Sequence, residues 1–171
     1  MKYFSCASCN NQVFFANSMC VNCQTVLGYV ASEKDMGSFQ QESDQLWIAL
    51  NPSFQQQRFK PCYNYKNYQV CNWMLPADSE KIYCESCQLT QILPDLDIPE
   101  NIIYWRRIEH AKQRFLYLMQ RLNIIPSPRI SPDDRYGLWF NFKISVEGQP
   151  VLTGHANGII TLNVSEADVV Y

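Results

Sequence analysis

The feature that most constrains the fold of this 171-residue sequence is the placement of its eight cysteines. They fall into two groups of four. The first group consists of two C-x2-C pairs separated by ten residues, Cys6 with Cys9 and Cys20 with Cys23. Such a pair lets both sulfurs reach one metal ion from a single turn, and tetrahedral zinc binds four thiolates at about 2.3 Å. Two pairs brought together by a hairpin make a zinc ribbon, which this spacing predicts.

The residues around the first group favour the short strands of a ribbon. Between the pairs, the β-rich run from Val13 to Phe15 is flanked by turn-forming residues, and the stretch "TVLGYV" after Cys23 predicts a further short strand. Asn10 follows the first pair, where a residue that tolerates a left-handed backbone is useful. The loop between the pairs is shorter than the roughly 15 to 20 residues of the common zinc pattern, so the predicted ribbon is short.

The second group is less regular and consists of Cys62, Cys71, Cys84 and Cys87. Only Cys84 and Cys87 form a C-x2-C pair. Leaving four reactive thiols free in a reducing compartment is costly, which favours a second zinc site. Two alternatives stay open at this point. Cys62 and Cys71 could be small buried apolar residues, or a C-x2-C pair could be a redox centre.

Composition and charge limit the functions to consider. Apolar residues make up 47% of the chain and the net charge is -2, so there is no basic footprint that would neutralise phosphates. Residues 1–100, which hold every cysteine, carry six Lys/Arg against ten Asp/Glu. The composition therefore argues against nucleic acid as a partner. It does not address whether one face carries a small positive patch.

No segment of the sequence is long and apolar enough for a signal peptide or a membrane span, and no membrane association is predicted. We therefore expect a cytoplasmic protein, where glutathione and thioredoxin keep thiols reduced. Its cysteines then need an explanation other than disulfides, which again favours metal binding.

The sequence predicts four segments in order. The first zinc ribbon occupies residues 1–30, and a linker and docking segment occupies 31–60, in which the polar residues 31–45 predict a loop. The second four-cysteine zinc segment occupies 61–96. Residues 97–171 form a helix followed by antiparallel strands. The segment 46–60 carries enough apolar residues to pack against the rest of the protein instead of remaining a solvated linker. They are Trp47, Ile48, Leu50, Phe54 and Phe59.

The clearest secondary-structure prediction is a helix from Asn101 to Ile124. Asn101 can cap its start, and Pro126 and Pro128 enforce its end. Apolar residues recur at steps of three and four and predict a core-facing stripe. The stripe comprises Ile108, Ala111, Phe115, Leu118, Met119 and Leu122.

Two strands are predicted after the helix. Residues Gly137 to Val146 alternate apolar and polar, which is typical of a half-buried strand, and Ile159 to Val164 form another strand after a turn at Gly154 to Gly158. Ser165 and Asp168 then have the spacing that opens a helix. The fold class is α+β: zinc ribbons held by two four-cysteine zinc sites, then a long amphipathic helix and a small antiparallel sheet.

Laid out in this way, the chain resembles the N-terminal part of a bacterial family of zinc-binding metallopeptidases that begin with a zinc-ribbon domain. The blocks that carry the resemblance run in family order along nearly the whole chain. They are "FSCASCNNQVFFANSMCVNCQTVLGYV", "CNWMLP", "YCESCQLTQILPDL", "WRRIEHAKQRFLY" and "TGHANGIITLNVSEAD".

The resemblance implies that both cysteine groups bind metal and that residues 97–171 are an incomplete peptidase-like domain. It also implies that the last strand precedes a helix with a His-Glu-x-x-His motif. That motif places two imidazoles on one helical face to hold a catalytic zinc, with the glutamate as base. The 171 residues contain only His110 and His155, and neither begins the motif. No catalytic residue is therefore assigned. His155 matches a family position without an assigned role; a turn histidine bonded to the backbone is the favoured interpretation.

Two functions from different classes follow. In the first, this is a zinc-binding protein that resembles a truncated metallopeptidase, inactive alone, with two structural zinc ions and a C-terminal peptidase half as its partner. In the second, it is a self-standing binding module for a protein or nucleic acid, which would present the aromatic residues Tyr63, Tyr65, Tyr68 and Trp73. Packing of these aromatics around a metal-held core is favoured over their exposure.

Overall fold

The structure is a computed structural model that describes residues 3–146 and 148–168. The described part of the chain divides into two compact units, within residues 1–84 and 85–171. Within the described ranges, no helix is long and apolar enough to cross a membrane.

The first unit begins with a short ribbon. Strand β1, Phe4–Ser5, pairs antiparallel with β2, Gln12–Val13, and places Phe4 opposite Val13. Both of these side chains are buried, while their strand neighbours Ser5 and Gln12 are exposed. This alternation follows from the two-residue period of a strand, and it gives even this small hairpin an apolar side.

A closed barrel follows the ribbon. Its strands pair in chain order, each antiparallel to the next, and the barrel closes where the first and last strands run parallel, with Tyr29 opposite Trp73. Helix α1, Tyr63–Tyr68, connects the last two strands. Because a closed barrel has no free edge, its short strands are all paired. The strands are β3 Val26–Val30, β4 Asp35–Ser43, β5 Leu46–Ala49, β6 Arg58–Pro61 and β7 Trp73–Pro76.

Aromatic side chains fill the barrel. The rings of Tyr29 and Trp73 lie 4.7 Å apart between centroids, and those of Phe39 and Phe59 lie 5.6 Å apart in an edge-to-face arrangement. Each of these side chains is buried. Phe54, in a 3₁₀ turn at Pro52–Phe54, packs against Phe59. Burying such rings dominates the energetics of a core of this size.

The predicted loop at residues 31–45 is wrong, because Asp35–Ser43 is the longest strand of the barrel. Its first half is buried and its second half is exposed, so the polar composition that predicted a loop describes the solvent-facing end. The predicted docking of the following segment is supported: Trp47, Phe54 and Phe59 are buried.

The second unit contains a mixed sheet with the order β10-β11-β9-β8. The pairs β8/β9 and β9/β11 are parallel, and β10/β11 is an antiparallel hairpin. The predicted antiparallel sheet is therefore wrong for most of its pairs. The predicted turn at Gly154 to Gly158 is shorter than expected: Gly154–Ala156 is strand β10, and only Asn157 and Gly158 make the turn. The strands are β8 Thr90–Ile92, β9 Trp139–Lys143, β10 Gly154–Ala156 and β11 Ile159–Asn163.

The turn between β10 and β11 depends on unusual backbone angles. Asn157 has a φ of 49° and Gly158 a φ of 78°, as a tight hairpin with two left-handed residues requires. After β11, a 3₁₀ turn at Val164–Ala167 begins where the sequence predicted a helix. Its cap is Asn163, whose side-chain oxygen accepts from the Ser165 backbone N–H, rather than Ser165 itself. Residues 169–171 lie outside the described range.

Helix α2, Pro99–Arg121, is present close to the predicted bounds of 101–124. Pro99 occupies its first turn, where no N–H is needed. Asn101 does not cap the helix as predicted; its side-chain N–H₂ instead donates to the carbonyl oxygen of Asp95 at 2.8 Å.

The predicted core-facing stripe of α2 is wrong. Ala111, Phe115, Leu118 and Leu122 are exposed, with Phe115 43%, Leu118 59% and Leu122 70% accessible. The buried face is largely polar: Asn101, Trp105, Glu109, Lys112, Gln113, Leu116, Tyr117 and Gln120. Periodicity correctly indicated a two-sided helix, but it cannot say which side meets the core when the other side also carries a continuous apolar row.

Candidate metal centres

The first four-cysteine group lies on a pair of matched turns. The backbone N–H of Asn10 donates to Cys6 O at 2.8 Å, and that of Gln24 donates to Cys20 O at 2.9 Å. Asn10 has a φ of 62° and Gln24 a φ of 61°. The left-handed residue predicted after Cys9 is thus confirmed, and its counterpart after the second pair was missed because glutamine is not a usual signal for this conformation.

The sulfurs of the first group are arranged at the spacing of a metal site. Cys6 and Cys23 lie 3.6 Å apart between Sγ atoms, as do Cys9 and Cys20, and all four Sγ atoms fall within 4.8 Å of one another. Four sulfurs at about 2.3 Å from a central zinc would be about 3.8 Å apart at the edges of a tetrahedron. The donor set and its spacing therefore fit zinc.

Hydrogen bonds at Cys6 and Cys23 favour the thiolate form that a metal requires, whereas the neighbouring sulfur of Cys23 and burial contribute to a raised pKa of about 11 for Cys9. The Thr25 hydroxyl lies 3.1 Å from Cys23 Sγ, and this contact, with the Thr25 backbone N–H, lowers the pKa of Cys23 to about 6. Burial acts to raise the pKa of Cys6, but backbone N–H groups of Cys9 and Ser8 outweigh it and lower that pKa. Donors aimed at a sulfur stabilise its charged form.

The second four-cysteine group is assembled from more distant elements. Cys62 stands at the N-terminus of α1 and Cys71 lies two residues before β7. Cys84 lies in the following loop, and Cys87 begins the 3₁₀ turn Cys87–Leu89 that leads to β8. All four are buried, and their Sγ atoms lie within 4.8 Å of one another. Cys62 and Cys71, which the spacing supported least, are therefore brought together with the C-x2-C pair.

Backbone groups also stabilise the sulfurs of this group. The N–H of Trp73 donates to Cys71 Sγ at 3.3 Å, and the N–H of Cys84 donates to Cys62 Sγ at 3.4 Å. Cys71 and Cys84 lie 3.7 Å apart between Sγ atoms, again close to a tetrahedral edge. With four thiolates and no free coordination position, this is the ligand set of a structural rather than a catalytic zinc. The two groups fit two structural zinc ions.

A buried polar network borders Cys87. Its Sγ lies 3.9 Å from Oε1 of Glu109, and the same oxygen accepts from the Ser86 hydroxyl at 3.0 Å. The other carboxylate oxygen accepts from Trp105 Nε1 at 3.3 Å and pairs with Lys112 Nζ at 2.9 Å. Sequence reasoning missed this network, since an acid and a base three residues apart on a helix normally form an exposed pair.

Lys112 is held by more than its ion pair. Its Nζ donates to the Thr90 hydroxyl at 2.6 Å and lies 5.4 Å and 5.3 Å from the ring centroids of Phe140 and Phe142 on β9. A buried ammonium needs such partners, because an unpaired charge in an apolar interior is strongly destabilising. This contact set explains how the helix can turn charged residues towards the sheet.

Two of the four aromatics offered as a binding surface are buried. Tyr65 and Trp73 are buried, and the Tyr65 hydroxyl donates to Leu27 O at 2.7 Å. Burial, followed by the nearby Cys71 charge, raises the pKa of Tyr65. Tyr63 is 40% exposed and rests edge-on against Tyr83, with ring centroids 5.5 Å apart.

Neither histidine joins a metal-ligating group within residues 3–146 and 148–168. His155 lies in β10 opposite Ile160 and is exposed, so it is a strand residue rather than the predicted turn residue. His110 is partly buried on α2, and burial, with Arg114 nearby, lowers its pKa. These positions assign neither side chain to a catalytic zinc.

Comparison with known proteins agrees with this geometry. The family model of a zinc-ribbon domain matches residues 3–98, and the model described as "Putative zinc-binding metallo-peptidase" matches residues 101–171. Uncharacterized proteins from Mycobacterium bovis and from two strains of Mycobacterium tuberculosis are each 30% identical over all 171 residues. No solved structure matches significantly.

The chain spans 45% of the length of these curated relatives, so it corresponds to less than half of each. The two matched regions follow one another in the order that the sequence resemblance implied. The metallopeptidase model covers less than half of the chain and matches residues 101–171. Since the zinc-ribbon model covers more than half of the residues, this chain belongs to the zinc-ribbon family.

Proposed function

We propose that this chain is the zinc-binding, non-catalytic part of a zinc metallopeptidase, located in the reducing cytoplasm. The observation that carries the proposal is the pair of four-thiolate groups, both at tetrahedral spacing, ahead of a region that matches the metallopeptidase family. In this role the zinc ions stabilise the ribbon and the barrel, since binding free energy becomes folding free energy in such sites.

Catalysis is proposed to need residues beyond these 171. A closed Cys₄ site leaves no position for a water molecule or a substrate, and the sequence holds no His-Glu-x-x-His motif. The chain alone should therefore bind zinc without hydrolysing peptide bonds.

The test is a metal and activity measurement on the same preparation. Protein purified without added zinc should contain about two zinc ions per chain by elemental mass spectrometry and should not cleave casein. Fewer than about one zinc per chain would refute the metal-binding role. Cleavage that co-purifies with the chain and stops with phenanthroline would refute the non-catalytic role.

The binding-module alternative has less support, because two of its four aromatics are buried and the cysteine-bearing part of the chain is acidic. Single-stranded nucleic acid provides its direct test. No mobility shift at low salt is expected, since few cations are available to displace counterions.

A further inference from the structure

Helix α2 has an exposed apolar row that the described residues do not cover. We define the outer stripe as Ala111, Phe115, Leu118 and Leu122. These residues follow each other at steps of four, three and four, so they lie along one side of the helix. Leu118 and Leu122 are 59% and 70% accessible. A row of large apolar side chains left in water on one helical face is typical of an interaction surface.

The opposite face of α2 makes this exposure more informative. That face carries the Glu109–Lys112 pair, both members of which are buried, and the pair is bonded to the buried side chains of Trp105 and Ser86. The helix therefore turns charge inward at a desolvation cost and turns leucine outward. Because burial of a charged pair is seldom more stabilising than burial of apolar groups of similar volume, this orientation makes sense if the outer stripe is itself buried in a larger assembly.

A row of cations borders the stripe. Arg107, Arg114 and Arg121 follow each other at seven-residue steps and are exposed, so they line one edge of the apolar row. In an antiparallel two-fold pair of these helices the same edge meets the same edge, and three arginines would face three arginines. In a parallel two-fold pair each arginine edge would meet the other, uncharged side of the apolar row and find no acidic partner there. A second copy of the chain is thus a poor occupant, while an apolar surface with acidic residues beside it is a good one.

The family comparison supplies an occupant of the right size. The metallopeptidase match begins at residue 101, within α2, so the helix belongs to the peptidase region rather than to the ribbon. The alignment includes all of this chain but only 45% of the length of each relative. More than half of each relative is therefore further polypeptide that can cover this helix.

We propose that the outer stripe of α2 is the docking surface for the remaining part of the peptidase, the polypeptide that lies outside the matched region in the relatives. This inference rests on the proposed function, because it takes α2 to be part of a peptidase domain. Its apolar row would be buried by apolar side chains of that part, with acidic residues opposite the arginine edge.

The experiment co-expresses this 171-residue chain with the unmatched part of the Mycobacterium tuberculosis relative and measures its retention on the tagged chain. The relative's own matched part serves as the reference for retention. Leu118→Asp should reduce retention at least tenfold, since a charge would be buried in an apolar contact. Ile130→Asp is the matched control, because Ile130 is 91% exposed, apolar and outside the helix; it should leave retention unchanged.

The outcomes separate the two proposals. Absence of retention, or equal retention of Leu118→Asp and the unsubstituted chain, would overturn the docking inference whatever the zinc content. A homodimer of the chain that Leu118→Asp converts to a monomer would overturn it in favour of a second copy. Retention by a chain with less than one zinc would keep the docking surface and refute the structural-zinc role. Both variants should keep two zinc ions, which verifies their fold.

Discussion

The two cysteine groups reach the same ligand set by different routes. In the first, each C-x2-C pair sits on its own turn, closed by a left-handed residue and a short backbone hydrogen bond, and Cys9 and Cys23 stay half-exposed. In the second, Cys62 lies at the start of α1, Cys71 lies just before β7, and Cys84 and Cys87 lie between β7 and β8. All four are buried. A local site can form before the rest of its domain, whereas a dispersed, buried site requires the barrel to be folded around it.

The largest effect is expected for Cys71→Ser. This change should remove the second zinc and lower the free energy of unfolding by more than about 4 kcal/mol, because it destroys a buried metal site next to Trp73 in the barrel. Zinc content and urea unfolding followed by tryptophan fluorescence measure it. A variant that keeps two zinc ions and its unfolding midpoint would show that the second group is not a metal site.

The next largest effect concerns the network that borders only the second group. Lys112→Met should cost about 3–5 kcal/mol of unfolding free energy, because it leaves the Glu109 carboxylate buried without its counter-charge. Adding Glu109→Gln to the same chain removes the orphaned charge and should recover part of the loss. If the double variant is less stable than Lys112→Met alone, the carboxylate has a role other than pairing with the lysine. Far-UV circular dichroism in urea follows the transition.

A smaller effect is expected for Cys9→Ser in the half-exposed first group. One zinc should be lost at a cost of about 1–3 kcal/mol, while the barrel keeps its unfolding transition and the second zinc stays bound. Elemental analysis gives the zinc content of Cys9→Ser, and tryptophan fluorescence in urea gives its unfolding free energy; both are compared with the values for Cys71→Ser. Equal destabilisation by the two substitutions would contradict the distinction between a local and a dispersed site.

The smallest effect should come from Thr25→Val, which removes the hydroxyl 3.1 Å from Cys23 Sγ. Loss of a hydrogen bond to a metal-ligating side chain typically lowers metal affinity about 10-fold or more. The zinc affinity of the first group should fall by about that factor. Competition with a chromogenic chelator measures it. Thr25→Ser keeps the hydroxyl and is the control; a similar loss for both would assign the effect to packing instead.

The cysteine groups show how far local patterns reach. Cys6 to Cys23 could be assigned from spacing alone, because the two-residue spacer directly determines how two sulfurs meet a metal. For Cys62 and Cys71, spacing left alternatives open, since the eight residues between them impose no geometry. Folding of α1 and β7 brings them together, and that depends on barrel pairings that no short motif encodes.

The same limit applies to the secondary structure. The strand at Asp35–Ser43 was hidden by polar residues on its exposed end, and the parallel pairing of β9 with β11 cannot be read from alternation, which is the same for either direction. These are properties of the partner strand rather than of the segment.

By itself, the sequence determined the first cysteine group as a candidate zinc site, the existence and approximate bounds of α2 and the absence of a His-Glu-x-x-His motif, because each depends on residues close together in the chain. Only the tertiary structure decided which face of α2 is buried. Glu109 and Lys112 can lie inside because Ser86, Trp105, Thr90 and the rings of β9 surround them. The physical reason is that a buried charge is tolerated only where the fold supplies its partners, and those partners come from elsewhere in the chain.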